Sequence, residues 1–525
     1  MKKHLIITLC TIITLTAYTE PIIVNYSNHG AKGDGITDDF EAIYQAHKHA
    51  NKLRIATPEK RVIVRGTPNA NYFIGAKHSD RTILIQTSTD WTDVTFTIDD
   101  REVPHQNARV WLFRVESALP EIDLFGTVTS LKAGQPNIPE FSFERDMMIT
   151  VADNTTLFHR KEFGGDGPFA GGQPSPKIDA FRIDKQGNID PLTPIVHDFN
   201  TITSLRGIQI DEETLTIRGG TFIRYANLVH VTRGGYGFGY FDRGILVTRS
   251  NVVMEGLYHD VRYYNLDGSP FPYEQRVRPY SGFINTRRCS DITIRNVVLS
   301  GRRMAEIGTY DLLIETTLNI LLENVNQTNC INDRRYWGIM ASNESKNIVV
   351  DRVSFSRFDT HRLVHNITVK NSEIGYASIL ATGSGTLWVE NTTVYASFFM
   401  SFREDWGSHW NGNVYVKNSV FAPFSQNVSN MTVFSGFNIT GKFDFGFPNT
   451  MPKIITIDGL TIDDSNLREG GNILLFNNVP NSSDQPFPFG LTEEVRIRNL
   501  NIKSGRNFII PSEALKQNLR VVRIE

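Results

Sequence analysis

A short unit recurs along this chain, an alternating apolar strand that ends in Asn. It stands as Asp291-Ile-Thr-Ile-Arg-Asn296, Asn319-Ile-Leu-Leu-Glu-Asn324, Asn366-Ile-Thr-Val-Lys-Asn371, Thr386-Leu-Trp-Val-Glu-Asn391 and Asn413-Val-Tyr-Val-Lys-Asn418. Weaker copies begin at Leu215, Val252, Ile348, Ile455 and Val495. Measured from Ile292 through Ile320, Ile348, Ile367 and Leu387 to Val414, the steps are 28, 28, 19, 20 and 27 residues. Steps of that size mean one solenoid coil per unit. The inward Ile, Leu and Val side chains need neighbours above and below, and the Asn sits at a turn where its amide can bond the next coil's Asn. The expected fold is therefore all-β: a single-stranded right-handed parallel β-helix with regular coils over 215–505. A solenoid keeps growing by repetition, so 20–525 reads as one domain despite a length of 525 residues.

The rest of the chain fits around that core. In Gly30-Ala-Lys-Gly-Asp-Gly-Ile-Thr-Asp-Asp39 the glycines and Asp make a tight turn, Asp38 and Glu41 form a capping box, and a helix follows through His49. Residues 30–50 thus cap the open end, with Asp34, Asp38 and Asp39 as turn and cap residues rather than metal ligands. A strand-rich section runs from Tyr72 to Arg114, and 131–200 reads as a loop-rich insertion because Gly164 to Pro176 is dense in Gly and Pro. Arg233 to Tyr240 reads as an aromatic wall loop.

Charge and cysteine usage narrow the function. With 54 Lys and Arg against 56 Asp and Glu there is no basic excess, so no nucleic-acid partner is expected. Lys2 and Lys3, the apolar stretch Leu5 to Leu15 and the small and polar run Thr16 to Glu20 lay out a signal peptide over 1–19. The product is expected to be exported, periplasmic or secreted, with no membrane anchor, since that stretch is short for a span and Cys10 lacks the small residues that precede a lipoprotein cysteine. Cys289 and Cys330 then read as buried free thiols.

Polar residues at similar distances before successive strands stack on one side of a solenoid. Tyr310 and Asp311 lie ten and nine residues before Ile320, and Arg335 and Trp337 thirteen and eleven before Ile348. Asp359 and His361 lie eight and six before Ile367, and Arg403 and Asp405 eleven and nine before Val414. At about 4.8 Å per coil they would line a groove roughly 20 Å long, with the small residues of Ser378 to Ser384 as its floor. Between Arg276 and Arg362 there are twelve Arg and one Lys, Lys346, a bias that points to an anionic ligand because only Arg offers a planar fork. Tyr263, Tyr264, Tyr273 and Tyr280 precede this cluster, suited to stack on sugars or to pack their loop. The Asp residues are spread over coils among Arg, so neither calcium nor any other metal or cofactor is expected.

Gly308-Thr-Tyr-Asp311, Arg334-Arg-Tyr-Trp-Gly-Ile-Met340, Ser356-Arg-Phe-Asp-Thr-His361 and Phe402-Arg-Glu-Asp-Trp-Gly-Ser-His-Trp-Asn-Gly412 follow the Asp-rich cap in this order. Over most of the mature chain this resembles the exported pectate-lyase-like β-helix proteins of polysaccharide-degrading bacteria, and is most similar to the ulvan-oligosaccharide dehydratase type. The relatives carry Ala and Gly at the places of Thr360 and Leu363, so this chain departs from them beside His361. The resemblance implies activity on uronate-containing saccharides.

β-Elimination at a uronate needs a cation on the carboxylate, a base for the C5 proton and an acid for the oxygen leaving C4. We assign Arg335 and Arg403 to the carboxylate, His361 as base oriented by Asp359 or Asp405, and Tyr310 or Tyr336 as acid. Trp337, Arg362, Asp311 and His409 complete the substrate-binding set. The product is an unsaturated uronate whether the enzyme is a dehydratase or a lyase. Two other readings stand beside this one: a glycoside hydrolase using Asp359 with Asp405 or Asp311, and a non-catalytic saccharide-binding β-helix.

Overall fold

The computed structural model describes residues 20–158, 175–228, 241–272, 280, 282–301, 303, 310–338, 340–403, 406–436, 447–477 and 489–523. The ten strand starts of the repeat fall into one parallel column. Leu215 pairs with Val252, Val252 with Ile292, Ile292 with Ile320, and then Ile348, Ile367, Leu387, Val414, Ile455 and Val495 follow in turn. Two further columns complete each coil. The second includes Tyr258–Arg262, Ser354–Phe355, Glu373–Ile374 and Thr393–Val394. The third includes Met340–Asn343, Phe358–Arg362, Ile379–Ala381, Phe398–Phe402 and Val428–Ser435. Their inward side chains form one continuous core in which Ile294, Leu322, Val350, Val369 and Val389 are fully buried. The chain is a parallel β-helix.

The corner after the first column explains the recurring Asn. Asn296, Asn324, Asn371, Asn391 and Asn418 all have φ between 45° and 53°, a left-handed conformation that Asn tolerates because its short amide bonds locally. Asn324 Nδ2 donates to Asn296 Oδ1 at 2.9 Å, Asn371 Nδ2 to Asp351 Oδ1 at 2.8 Å, and Asn391 Nδ2 to Asn371 Oδ1 at 3.1 Å. Arg352 takes the same corner with φ 54°, and Gly459 takes it with φ 80°.

Two parts of the sequence reading change. The cap helix runs Phe40–Ala56 rather than ending at His49. Asn51, on the added turns, is held by its side chain, which donates to the Leu84 carbonyl at 2.9 Å. The Asp38–Glu41 box does not form, since Glu41 accepts from Arg81 and Gln45 while Asp39 accepts from the Lys32 and Gly33 amides. The segment read as a loop-rich insertion builds an antiparallel sheet from Glu121–Asp123, Met147–Phe158, Ser175–Ile183 and Ser204–Gln209. Its core of Phe141, Met147, Ile149, Phe181, Phe199 and Leu205 follows from the period-2 burial of Met147–Phe158, whose partner strand lies beyond the Gly- and Pro-rich stretch. This sheet docks on the β-helix through Asn319 Nδ2 to Asp190 Oδ2 at 3.0 Å and Lys346 Nζ to Asp179 Oδ1 at 2.5 Å.

Cys289 and Cys330 are unbonded; Cys289 is buried, with its thiol pushed up to about 12 by burial, but Cys330 is exposed. Residues 1–19, most of Gly164 to Pro176, Arg233 to Tyr240, and Tyr273 lie outside the described residues.

Candidate functional site

The strand Phe358–Arg362 carries the centre of the site. Period-2 geometry sends Phe358 and Thr360 one way and Arg357, Asp359 and His361 the other. Ser342 of the preceding coil pairs with Thr360, and Asn343 with Arg362, so His361 is an extra residue with no opposite number. That β-bulge turns the imidazole out of the ladder. His361 therefore belongs to a bulged strand rather than to a surface turn.

Three coils converge on it. His361 Nε2 lies 2.8 Å from Asp359 Oδ2 and 3.0 Å from the Tyr310 hydroxyl. Arg403 Nη1 donates to both Asp359 oxygens at 2.8 and 3.1 Å, and Arg357 Nη2 donates to Asp359 Oδ2. The Arg357 guanidinium lies 4.7 Å over the Trp337 ring, a cation–π contact. Gly338 makes room for this, because a Cβ there would stand 2.5 Å from Arg357 Cβ. Side-chain exposure is 0% for Asp359, 7% for Arg357 and 12% for Arg403 but 23% for His361, so the imidazole is the most accessible of these four.

The electrostatics fix the protonation states. Burial would raise the Asp359 carboxyl, but Arg357, His361 and Arg403 overcome it and hold the group well below the usual carboxylate range. Burial pushes His361 below the ordinary imidazole value against the pull of Asp359, and pushes the Tyr310 hydroxyl up. At neutral pH Asp359 is an anion and His361 and Tyr310 are neutral. Two guanidinium groups less one carboxylate leave a net charge of +1 around the imidazole. An anionic Asp359 at Oδ2 requires Nε2 to carry the imidazole proton, which leaves Nδ1 as the basic nitrogen.

The other sequence candidates separate. Asp311 is fully buried, bonded to His259 Nδ1 at 2.8 Å and to the Ser300 amide at 2.8 Å, because one step along a strand reverses the face. Arg335 is held at 2.9 Å by Asp333, two residues away, with its side chain 63% exposed. Tyr336 bridges to Arg303, and its carbonyl accepts from the Tyr376 hydroxyl at 2.6 Å. Arg362 pairs with Glu344, donates to Ser175 Oγ at 2.7 Å and stacks over Trp406 at 5.2 Å, on the rim facing the antiparallel sheet. His409 is buried against Phe447 and accepts from the Thr450 amide at 3.1 Å, its pKa lowered to about 3 by burial. Asp405 lies outside the described residues.

Four more of the twelve arginines are engaged in ion pairs of their own. Arg287 pairs with Glu315, Arg288 with Glu121, Arg295 with Glu255 and Arg352 with Glu323. Arg357, one of the twelve, is the one that reaches Asp359 from just before its strand. Its signal was the Arg357, Asp359, His361 alternation along one strand. Among the described residues, no group of three or more His, Cys, Asp or Glu is placed to hold a metal ion.

No protein-family model and no curated protein matches the chain. Among solved structures it is similar to the tailspike protein gp49 from Pseudomonas phage LKA1, at 10% identity and a TM-score of 0.44 over 91% of this chain and 81% of that one. It is also similar to the Gp54 tailspike of Acinetobacter baumannii bacteriophage AP22 in complex with A. baumannii capsular saccharide, at 9% identity and a TM-score of 0.47 over 95% and 79%. A hyperthermoactive exopolygalacturonase from Thermotoga maritima aligns at 11% identity and a TM-score of 0.37 over 93% and 94%. At these levels the likeness concerns the fold alone.

Proposed function

We propose that this chain is an exported enzyme that cleaves a C–O bond in a uronate-containing saccharide by β-elimination. The observation that carries the reading is the sharing of His361 Nε2 between Asp359 and Tyr310 under a net positive charge. The positive charge draws the uronate carboxylate and offsets the charge that grows on it as the C5 proton leaves. His361 Nδ1 takes that proton. The C5–H electron pair becomes the C4=C5 double bond, the C4–O bond breaks, and the leaving oxygen takes the Tyr310 hydroxyl proton. The Tyr310 phenolate then takes a proton from solvent and the imidazolium releases its Nδ1 proton to solvent, which restores both groups with the Nε2 proton still facing Asp359. Asp359, never protonated, orients the ring and stabilises its charged form.

Hydrolysis by paired carboxylates has less support. Asp359 and Asp311 are both fully buried, the first held by Arg403 and the second hydrogen-bonded to His259 and the Ser300 amide, so neither presents a carboxylate to a glycosidic bond.

The test is the ultraviolet absorbance of an unsaturated uronate, followed on a panel of anionic oligosaccharides including ulvan fragments. Absorbing product is expected from the wild-type chain, and a loss of about 10² to 10⁴-fold from His361→Ala with the fold intact. Saturated products with new reducing ends would replace this reading by hydrolysis.

A further inference from the structure

The second column, which precedes the His361 strand in each coil, runs on toward the amino terminus. Tyr225 pairs with Arg262 one coil on, and the coils of Tyr310, Trp337 and His361 follow in turn. Around Tyr225 and Arg262, three to four coils from His361 and so roughly 15–20 Å away along the axis at about 4.8 Å per coil, the surface opens into a depression. Its volume is about 600 Å³.

The depression is preformed. Its outer wall is the loop from Tyr264 to Pro270, closed by a bridge between those residues and by the Asn265 amide donating to the Ser269 carbonyl at 2.8 Å. Arg101 Nη1 pins this loop by donating to the Asn265 carbonyl at 2.8 Å. Tyr264 remains 38% exposed and Leu266 64% exposed. The Tyr264 ring meets Tyr225 edge-on at 6.3 Å, and Arg101 covers Tyr225 at 4.9 Å, so the aromatic surface is held rigidly.

Its charge differs from that of the His361 site. Arg101 forks onto Asp99 at 2.9 and 2.5 Å, and Arg262 is engaged by Asp260 at 3.3 Å. With Asp267 on the loop, two guanidinium groups stand against three carboxylates, a net of −1 rather than +1. A second uronate would be repelled here. Exposed ring and aliphatic surface beside planar, fixed donors and acceptors suits the C–H face and hydroxyls of an uncharged sugar.

We propose that this depression binds uncharged sugar residues of the same polysaccharide whose uronate reacts at His361. The link to the polysaccharide rests on the elimination reading, whereas the preference for an uncharged saccharide rests on the depression alone. The test is binding of the full chain to a glycan array of xylo-, gluco-, manno- and rhamno-oligosaccharides beside uronate oligosaccharides. Wild type is expected to retain uncharged glycans, Tyr264→Ala to weaken that retention about tenfold, and Tyr264→Trp to keep it, while a uronate disaccharide too short to reach the depression is turned over alike by all three. No retention of uncharged glycans, or equal retention by wild type and Tyr264→Ala, would overturn the proposal. Retention that persists in a chain with no uronate turnover supports the depression and removes the elimination reading alone.

Discussion

Arg403 reaches past an entire intervening coil to Asp359, its Nη1 2.8 Å from Oδ1. In the third column Leu380 stands between Asp359 and Ser401. This contact sets both the charge of the site and the state of its histidine.

Arg403→Lys tests that contact. An ammonium on a shorter reach offers a point charge where the guanidinium Nη1 spans both oxygens of one carboxylate. We expect kcat on a uronate oligosaccharide to fall about a hundredfold with KM little moved, because the cation acts on charge that develops in the transition state. Steady-state kinetics read by product absorbance decide it. A KM-only effect would assign Arg403 to ground-state binding.

Acid should act twice. His361 must be unprotonated to take a proton, and burial places its pKa below 6.5, so kcat/KM is expected to stay high at pH 6.5 and fall only as pH drops further. Stability declines over a related range for a different reason. Burial lowers His409 to about 3, His47 to about 3 and His365 to about 4, each from 6.5 when unfolded. Between those values the unfolded chain binds more protons, so the stabilisation is complete above pH 6.5 and is lost as pH falls toward 4. Melting curves from pH 7.5 to 4 should show it, and His409→Leu should flatten the slope.

Gly338→Ala probes the support beneath Asp359. The new methyl would stand 2.5 Å from Arg357 Cβ, so the arginine must leave either Trp337 or Asp359. About 1–3 kcal/mol of overpacking is expected, and kcat should fall more than stability does. Activity retained at wild-type level would mean that Arg357 serves only packing.

How much of this was legible from sequence follows from range. The strands from Leu215 to Val495 were visible because each repeats the same alternation against the same core, and their pairing is in register at all ten starts. Counting from those strands also led to Tyr310, Asp359, His361 and Arg403, which the structure brings together. The same count misled at Asp311, where one residue reverses the face, and at Arg335, captured by Asp333. Nothing local announced the bulge at His361, since a bulge is a mismatch between two coils and belongs to neither alone.

The Asn corner predicts its own energetics. Asn324 carries φ 52° and donates to Asn296 at 2.9 Å. Asn324→Ala loses the hydrogen bond and forces a methyl into the left-handed region, a cost of about 2–3 kcal/mol. Asn324→Gly keeps the conformation and should cost about 1 kcal/mol less, as denaturant midpoints at equal m would show.

The reach of Arg403 over a coil makes the site a gauge of solenoid continuity. Each coil of such a molecule touches only its neighbours, so fraying can open one interface and leave the rest standing. Tyr310, Asp359 and Arg403 belong to separate coils, and their meeting requires every interface between them to be closed at once. A chain with a single parted coil would keep most of its strands and its far-ultraviolet signal, yet would present no poised histidine.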